Sequence, residues 1–188
     1  MVNAIRPALG VLAFMTVLTG VVYPLSVTAV AQLAFPMQAN GSLVEDSNGV
    51  LRGSQLLAQR FDAPLWFHAR PSAGDFATVP SSASNLAPSN PALLQRITKE
   101  VVLLKGDQTQ PVPMQLVTTS GSGLDPHISP DAARYQIKRI AAARNMPAED
   151  LEKLIAGYVQ SPLIGPPVVN VLVLNLALAD NPAISRNE

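Results

Sequence analysis

Hydrophobic residues are concentrated first in one long run near the start of the chain. No charged residue occurs between Pro7 and Val44, and residues 8–35 consist mainly of Leu, Val, Ala, Phe and Met. About 20 consecutive apolar residues in a helix are enough to cross the hydrocarbon core of a bilayer. The pattern therefore predicts one membrane-spanning helix over residues 8–35.

Gly20 and Pro24 interrupt this apolar run. Both residues are costly in an exposed soluble helix but are accepted in spanning helices that pack against other helices. Thr16, Ser26 and Thr28 add further small residues to the same run. We therefore expect the helix to contact a partner, with Gly20 and Pro24 as candidate contact residues.

A cleaved secretory signal is the alternative interpretation of the run. Arg6 provides a basic end, and Ala29-Val30-Ala31 fits the small-x-small pattern that precedes a cleavage point. The apolar stretch is, however, longer than the roughly 7 to 15 residues of a usual signal core, which favours a retained helix. Arg6 precedes the run and Glu45 follows it, so the positive-inside rule places residues 1–7 in the cytoplasm as a short tail. Residues 40–188 then form an exported domain.

The exported part begins with patterns of short elements. Asn48-Gly49 between two short apolar runs predicts a β-hairpin. Ser54 is a suitable cap for a short helix over residues 55–60, which would bury Leu56 and Leu57. Residues 65–68 are expected to be a strand or an extended segment, and residues 71–88, rich in Ser, Ala, Pro and Gly, a long loop.

Longer helical patterns follow. Asn90, Pro91 and Gly106 mark the two ends of a helix whose predicted buried face contains Leu94, Ile97, Val101 and Leu104. Further elements are a strand over residues 114–118, a loop over 120–130, helices opening at Ser129 and at Pro147, and a strand over 168–178. These elements predict a single α+β domain of about 150 residues, a usual domain size.

Composition excludes several classes of function. The chain has 13 basic and 13 acidic residues, so it lacks the basic footprint of a nucleic-acid-binding protein. It has no cysteine, which excludes disulfides, thiolate metal sites and cysteine catalysis. No Gly-x-x-x-x-Gly-Lys-Ser/Thr string occurs, so independent ATP hydrolysis by a Walker-type loop is not expected.

One polar cluster invites a catalytic interpretation. Ser120, Ser122, Asp125 and His127 are the residue types of a serine hydrolase, and His127 is one of only two histidines, with His68. Residues so close in one loop seldom form a relay, and Ser122 lies directly between two glycines rather than in a Gly-x-Ser-x-Gly elbow. No zinc-binding pattern includes either histidine, so neither a metal nor another cofactor is expected. The simpler interpretation is a turn, in which the glycines allow the bend and Asp125 caps backbone amides.

Several ordered strings resemble one protein family, the C subunit of the Kdp potassium-transporting ATPase, KdpC. The strings are Arg-Pro-Ala-Leu from Arg6, Gly20 with Val-Val-Tyr-Pro-Leu, Gln-Ala-Asn-Gly-Ser-Leu from Gln38, Phe-His-Ala-Arg-Pro-Ser-Ala from Phe67, Ser-Asn-Leu-Ala-Pro-Ser-Asn-Pro from Ser84, Pro-Val-Pro from Pro111 with Leu-Val-Thr from Leu116, Ser-Gly-Ser-Gly-Leu-Asp-Pro-His-Ile-Ser-Pro from Ser120, and Val-Val-Asn-Val-Leu from Val168 with Leu-Asn-Leu-Ala-Leu from Leu174. They are distributed over essentially the whole chain.

The resemblance implies an accessory subunit of an inner-membrane complex. Its partners would be a channel-like subunit that selects potassium, a P-type ATPase subunit that hydrolyses ATP and a small peptide subunit, with lipid around the helix. The chain would not be catalytic itself; it would support assembly, with its outer domain over the potassium-selecting subunit. Potassium would be the transported ion of the complex. Candidate contact residues on the domain are His68, Arg70, Ser120, Ser122, Asp125 and His127.

The family is also described as a catalytic chaperone that supports ATP binding by the ATPase subunit. Its Ser-Gly-Gly-Ser-Asn string corresponds here to Ser81-Ser82-Ala83-Ser84-Asn85, which makes Ser81, Ser82, Ser84 and Asn85 the candidate nucleotide residues. Both glycines of that string are replaced in this chain. Two alternatives therefore stay open: direct contact with nucleotide, or an effect on ATP transmitted through the helix. A free exported hydrolase or binding protein that uses residues 120–127 is the alternative function.

Overall fold

The computed structural model describes residues 2–106 and 108–180, and the chain divides into two compact units, residues 1–43 and 44–188. The first unit is helical. Its elements are α1 (Val2–Val17), a π-helical turn (Leu18–Val22), α2 (Tyr23–Ala34) and the short α3 (Pro36–Ala39). Ala4–Ala34 form a continuous stretch of 31 helical residues with a mean hydropathy of 2.0, long and apolar enough to cross a membrane. The predicted single long apolar helix is confirmed.

Pro24 explains the π-helical turn. Proline has no backbone N–H, and its ring collides with the carbonyl four residues earlier, which here belongs to Gly20. The helix widens immediately before Pro24, where the N–H of Tyr23 donates to the carbonyl of Leu18, five residues back. A π turn of this kind keeps the helix continuous past the proline.

The predicted hairpin, formed by β1 (Leu43–Glu45) and β2 (Leu51–Ser54), begins at the last residue of the first unit and otherwise belongs to the second. Asp46 organises its turn because its Oδ1 accepts hydrogen bonds of 2.9 Å from the backbone N–H groups of Asn48 and Val50. Gly49 has φ +74, a conformation in which glycine is unstrained. The Asn-Gly prediction is confirmed.

The core of the second unit lies around a three-stranded antiparallel sheet of order β3-β5-β4. Its strands are β3 (His127–Ile128), β4 (Val159–Gln160) and β5 (Val168–Asn170), with Val169 opposite both Ile128 and Val159. Four helices contribute to the same core: α5 (Pro130–Tyr135), α6 (Ile137–Arg144), α7 (Ala148–Tyr158) and α8 (Val171–Ala179). The α+β prediction is confirmed.

A further helix, α4, extends over Pro91–Lys105, as predicted from its ends. The Asn90 side chain accepts a hydrogen bond from the N–H of Ala92, and Gly106 follows the last turn at φ +47. The prediction that Leu94 is buried is wrong, because this side chain is 69% exposed. Ile97, Val101 and Leu104, on the same predicted face, are partly buried.

The predicted helix over residues 55–60 is absent, and the segment forms only a turn. The Ser54 hydroxyl accepts from the N–H of Leu56 as predicted, but the N–H of Ala58 then donates to the carbonyl of Leu124 at 2.8 Å. This long-range bond replaces the next bond of a helix. Leu56 is consequently 60% exposed rather than buried.

Two predicted strands are also wrong. Residues 114–118 contain a 3₁₀ turn (Met114–Leu116), in which the Thr118 hydroxyl donates to the carbonyl of Met114 at 2.8 Å. Only Val168–Asn170 of the apolar run 168–178 forms a strand, and the rest is α8. The Asn170 side chain caps α8 by accepting from the N–H of Val173 at 3.2 Å. An almost uninterrupted apolar run has no period that separates a buried strand from a buried helix.

The prediction of a strand or extended segment over residues 65–68 is wrong for its first half: Leu65 and Trp66 lie in a turn, in which the N–H of Trp66 donates to the carbonyl of Ala63 at 3.2 Å. Phe67 and His68 follow it and lie outside any sheet. Side-chain amides take the place of a neighbouring strand. Asn175 of α8 accepts from the N–H of Phe67 at 2.8 Å and donates to its carbonyl at 2.9 Å. Gln136 does the same for His68, at 2.8 and 3.1 Å. The backbone polar groups of this segment are thereby satisfied without a sheet.

Candidate functional site

Arg70 connects the chain that follows Phe67 and His68 to the loop before β3. Its guanidinium donates to the carbonyl of Thr119 at 3.0 Å and lies 3.4 Å from Oδ2 of Asp125. Asp125 Oδ1 accepts from the N–H of His127 at 3.0 Å and lies 3.6 Å from the imidazole Nδ1 of the same residue. The His127 side chain, followed by its backbone N–H and by Arg70, lowers the pKa of the Asp125 carboxyl. These bonds keep Asp125 ionised and fix the end of the loop.

The two serine hydroxyls of this loop are engaged in its own turn. Ser120 Oγ accepts from the N–H of Gly123 at 2.9 Å, and Ser122 Oγ accepts from the N–H of Leu124 at 3.0 Å. Within the described part of the chain, the polar neighbour of the His127 imidazole is Asp125, and no hydrogen bond joins that ring to either serine. The arrangement lacks the serine–histidine contact of a nucleophilic relay. It matches the interpretation of the cluster as a turn.

The two loops singled out from the sequence meet at Gly123. This residue has φ +70, and a Cβ atom built on it would lie 2.6 Å from the backbone carbonyl oxygen of Ser82. The side chains of Ser84 and Thr119 also approach each other, with 3.4 Å between their hydroxyl oxygens. We call residues 71–88 and 118–126 together the two-loop surface.

A shallow cavity of about 500 Å³ lies in the two-loop surface beside exposed leucines. Arg70, Ser81, Ser120, Ser122 and Asp125 line it, and Leu56 and Leu57 form its apolar margin. The structure therefore brings together five of the predicted site residues. It also places beside them the two leucines that had been predicted to be buried.

The string matched to the nucleotide motif has a structural position in this surface. Ser81 lines the cavity, Ser82 lies against Gly123, and Ser84 approaches Thr119. Asn85 has φ +50, the left-handed conformation that Asn adopts more readily than most residues. The segment thus packs against the neighbouring loop through both its backbone and its side chains.

His68 lies apart from the serines. Its imidazole Nε2 is 3.1 Å from the carbonyl of Ala63, and it lines a different cavity, of about 260 Å³, with Phe61, Glu100 and Gln136. Burial, together with the nearby charge of Arg139, lowers the pKa of the His68 side chain. The neutral imidazole is therefore favoured in the folded domain.

Four residues that organise this region were missed in the sequence: Gln136, Arg139, Arg144 and Asn175. Arg139 donates to the carbonyl of Trp66 at 3.0 Å, and burial lowers its pKa to about 10. Arg144 donates to the carbonyl of Leu65 at 2.7 Å and lies over the Trp66 ring, 4.4 Å from its centroid. A Gln or Arg in a helix pattern is typical of an exposed face, so periodicity alone gave no signal for these contacts.

The candidate contact residues of the first unit lie at the π turn. Gly20 is within the turn and Pro24 follows it. A Cβ atom on Gly20 would meet no atom within 4 Å. In residues 2–106 and 108–180, no group of three or more His, Cys, Asp or Glu side chains could hold a metal ion.

Among the residues that the structure describes, one helix is a candidate membrane span and an α+β domain follows it in the chain, an organisation that fits the class of single-pass membrane proteins. Comparison with known proteins gives the family. The family described as "KdpC: K+-transporting ATPase, c chain" matches residues 5–180, and the chain belongs to this family. The predicted family is thereby confirmed, and the chain is a subunit of the potassium-transporting ATPase.

Individual relatives are similar over nearly their full length. The chain is 57% identical over 187 residues to the protein "Potassium-transporting ATPase KdpC subunit" of Pseudomonas savastanoi pv. phaseolicola, covering 100% of this chain and 98% of the relative. A protein of the same name in Pseudomonas aeruginosa is 57% identical over 179 residues, covering 95% of this chain and 98% of the relative. Another in Pseudomonas putida strain GB-1 is 61% identical over 171 residues, covering 91% of this chain and 93% of the relative.

Proposed function

We propose that this chain is a non-catalytic subunit that assembles the potassium-transporting complex and supports ATP binding by its P-type ATPase subunit. The observation that carries this proposal is the two-loop surface. Its Ser120, Ser122 and Asp125 side chains accept hydrogen bonds from backbone amides, and the adjacent Arg70 donates to the carbonyl of Thr119 and pairs with Asp125, as in a rigid contact surface rather than a reaction site. Conformationally fixed polar loops are well suited to recognition.

The domain lies, in this proposal, on the outer side of the cell inner membrane, over the potassium-selecting subunit. Arg6 lies in the first turn of the candidate spanning helix, before its long uncharged run, and the first charges after the helix are Glu45 and Asp46. The basic residue favours a cytoplasmic start of the chain, and the domain then follows on the opposite side. The channel-like subunit, the ATPase subunit and the small peptide subunit are the proposed partners.

Support of ATP binding is indirect in this arrangement, because an outer domain does not meet cytoplasmic nucleotide. Ser81, Ser82, Ser84 and Asn85 then stabilise the two-loop surface instead of contacting ATP. The packing of Ser82 against Gly123 and of Ser84 against Thr119 favours this role. The effect on ATP is transmitted to the ATPase subunit through the helix and the other subunits.

A free exported hydrolase is disfavoured as the alternative function. The Ser120 and Ser122 hydroxyls accept hydrogen bonds from backbone amides of their own loop. A hydrolase would need one of them beside the His127 imidazole.

Cysteine labelling from the two sides of the membrane tests the topology. The natural chain has no cysteine, so single Cys variants give an unambiguous signal. Ala156 lies on the exposed face of α7, and Asn3 lies before the apolar run. In intact cells with a permeable outer membrane, an impermeant maleimide should label Ala156→Cys and not Asn3→Cys; inside-out vesicles should give the opposite result. Labelling of Ala156→Cys only in inside-out vesicles would reverse the orientation.

Nucleotide photolabelling of the purified complex tests the indirect role. Azido-ATP should label the ATPase subunit and leave this chain unlabelled, while removal of this chain should raise the KM for ATP. ATP-protectable labelling within residues 81–85 would contradict the indirect role and restore direct contact. An unchanged KM, together with normal potassium uptake without the chain, would contradict the subunit function.

A further inference from the structure

The π-helical turn leaves one backbone carbonyl of the apolar helix without a helical donor. In a regular α-helix the carbonyl of Thr19 would accept from the N–H of Tyr23, four residues later. That N–H donates to the carbonyl of Leu18 instead. The next N–H along the chain would belong to Pro24, which has none. The Thr19 carbonyl is therefore an unused hydrogen-bond acceptor.

The Ser and Thr hydroxyls of the helix do not serve this carbonyl. Each one donates to the carbonyl four residues before it, at 2.7 to 2.9 Å: Thr16 to Leu12, Thr19 to Met15, Ser26 to Val22 and Thr28 to Pro24. A hydroxyl has a single proton to donate, so each of these donors is already used. Among the residues that the structure describes, the helix itself therefore supplies no side-chain hydrogen bond to the Thr19 carbonyl.

The position of Thr19 along the helix makes an unpaired acceptor costly. Thr19 is the central residue of the candidate spanning stretch Ala4–Ala34. At a rise of about 1.5 Å per residue it lies about 22 Å from either end of that stretch, whereas half the hydrocarbon core of a bilayer is about 15 Å thick. A spanning helix therefore holds this carbonyl within the hydrocarbon, away from lipid headgroups and bulk water. Membrane helices that contain proline recover a lost bond from their own hydroxyls, from ordered water or from a neighbouring helix.

The surroundings of the carbonyl select the donor. Gly20 follows Thr19, both residues are exposed, and a Cβ atom on Gly20 would meet no atom within 4 Å, so a partner side chain has open access. Lipid tails donate no hydrogen bond, and a bridging water needs about two to four polar partners, which the aliphatic residues around the turn do not offer. No charged residue occurs between Pro7 and Val44, so no counter-ion would balance a Lys or Arg of a partner. The remaining donor is an uncharged hydroxyl or amide side chain on another membrane helix.

We propose that the Thr19 carbonyl accepts a hydrogen bond from an uncharged hydroxyl or amide side chain on a membrane helix of the potassium-selecting subunit. This inference rests on the subunit role given above, in which the domain lies over that subunit. The short connection of residues 35–42 between α2 and β1 favours the subunit under the domain as the neighbour of the helix. Pro24 creates the unpaired acceptor, and Gly20 leaves the space through which the donor approaches it.

Isotope-directed NMR observes this one carbonyl in the assembled complex. Thr19-Gly20 is the only Thr-Gly pair in the sequence, so threonine labelled with ¹³C at its carbonyl and glycine labelled with ¹⁵N mark a single peptide bond. A hydrogen bond deshields a carbonyl carbon. We therefore expect the Thr19 ¹³C resonance to move to higher frequency when the labelled chain, in lipid bilayers, is assembled with the unlabelled subunits. Leu9-Gly10, the only Leu-Gly pair, lies in α1 and is the matched control, whose resonance should not move.

Pro24→Ala tests the acceptor because it restores an N–H to the helix. The helix then closes its own bonds across the turn, and the Thr19 resonance should no longer move on assembly. In mild detergent, the amount of this chain that copurifies with the other subunits should fall roughly threefold to thirtyfold, the range expected for one hydrogen bond between membrane helices. Pro7→Ala, at the other proline of the spanning stretch, is the matched control and should copurify like the natural chain.

A photocrosslinker in place of Tyr23, which is 65% exposed beside the turn, identifies the neighbour in the purified complex. A crosslink to the potassium-selecting subunit supports the proposal, and crosslinks to another subunit, to a second copy of this chain or to lipid alone overturn it. A Thr19 resonance that does not move on assembly, or an equal loss of copurification with Pro7→Ala, also overturns it. These failures differ from failure of the subunit function, in which the natural chain itself would not copurify.

Discussion

At the scale of single residues, Gly123 is the point on which the two-loop surface depends. It combines a left-handed backbone conformation with close approach to the carbonyl of Ser82. Gly121, two positions earlier in the same loop, has neither feature and has open space around it. The two glycines look alike in the sequence and have different structural requirements.

This difference predicts unequal effects of two identical substitutions. Gly123→Ala should lower the free energy of unfolding by about 1 to 3 kcal/mol, because the methyl group strains the backbone and separates the loops. Gly121→Ala should change it by less than about 0.5 kcal/mol. Denaturant titration of both variants measures the difference. Equal stability of the two variants would show that the loops are not locked together at Gly123.

At the scale of elements, the Asn175 side chain makes the backbone hydrogen bonds that a neighbouring strand would otherwise make. It is buried within α8 and bonds both backbone groups of Phe67. Phe67 is itself fully buried, so its N–H and carbonyl have no access to water if Asn175 is removed.

Asn175→Ala should therefore destabilise the domain by about 2 to 4 kcal/mol, because it leaves two buried backbone groups unsatisfied. Asn48→Ala, at the exposed hairpin turn, is the matched control and should cost less than about 1 kcal/mol. Chemical denaturation followed by Trp66 fluorescence reports on the same segment. A loss from Asn175→Ala no larger than that of the control would contradict this role.

The long apolar helix contains a π-helical turn, and Gly20 lies within it. Small residues in membrane helices allow close backbone approach of a partner helix. Gly20→Leu should loosen the complex in mild detergent and leave the α+β domain folded. Gly10→Leu, in the same helix and equally free of neighbours, is the control and should keep the complex intact. An unchanged subunit stoichiometry with Gly20→Leu would contradict the prediction that Gly20 packs against a partner helix.

At the scale of the whole molecule, the two compact units differ in what stabilises them. The buried apolar cluster consists entirely of residues between Phe67 and Leu178, and the side chains of residues 4–30 are all exposed. The second unit therefore contains its own core.

We accordingly expect residues 44–188 to fold without the apolar helix. The thermal midpoint of this fragment should lie within about 3 °C of that of the domain in the full chain, because no core residue is removed. Circular dichroism of the fragment, compared with the full chain in detergent, measures the difference. A fragment that remains unfolded would show that the helix contributes to the stability of the domain.

The sequence alone determined the features that depend on local chemistry. A run without charge determined the apolar helix, Asn48-Gly49 determined the hairpin, and Asn90 with Gly106 determined the ends of α4, because each is fixed by neighbours within a few residues. The family was likewise evident from strings that persist along the chain.

Only the tertiary structure decided the features that depend on distant residues. The helix predicted over residues 55–60 does not form, because the N–H of Ala58 donates to the carbonyl of Leu124. Residues 171–178 form a helix because the Asn170 side chain caps it and the strand ends there. The meeting of the two loops at Gly123 and the placing of Leu56 at their margin follow from the same long-range contacts. Local propensity is worth a fraction of a kcal/mol per residue, and buried hydrogen bonds and packing outweigh it.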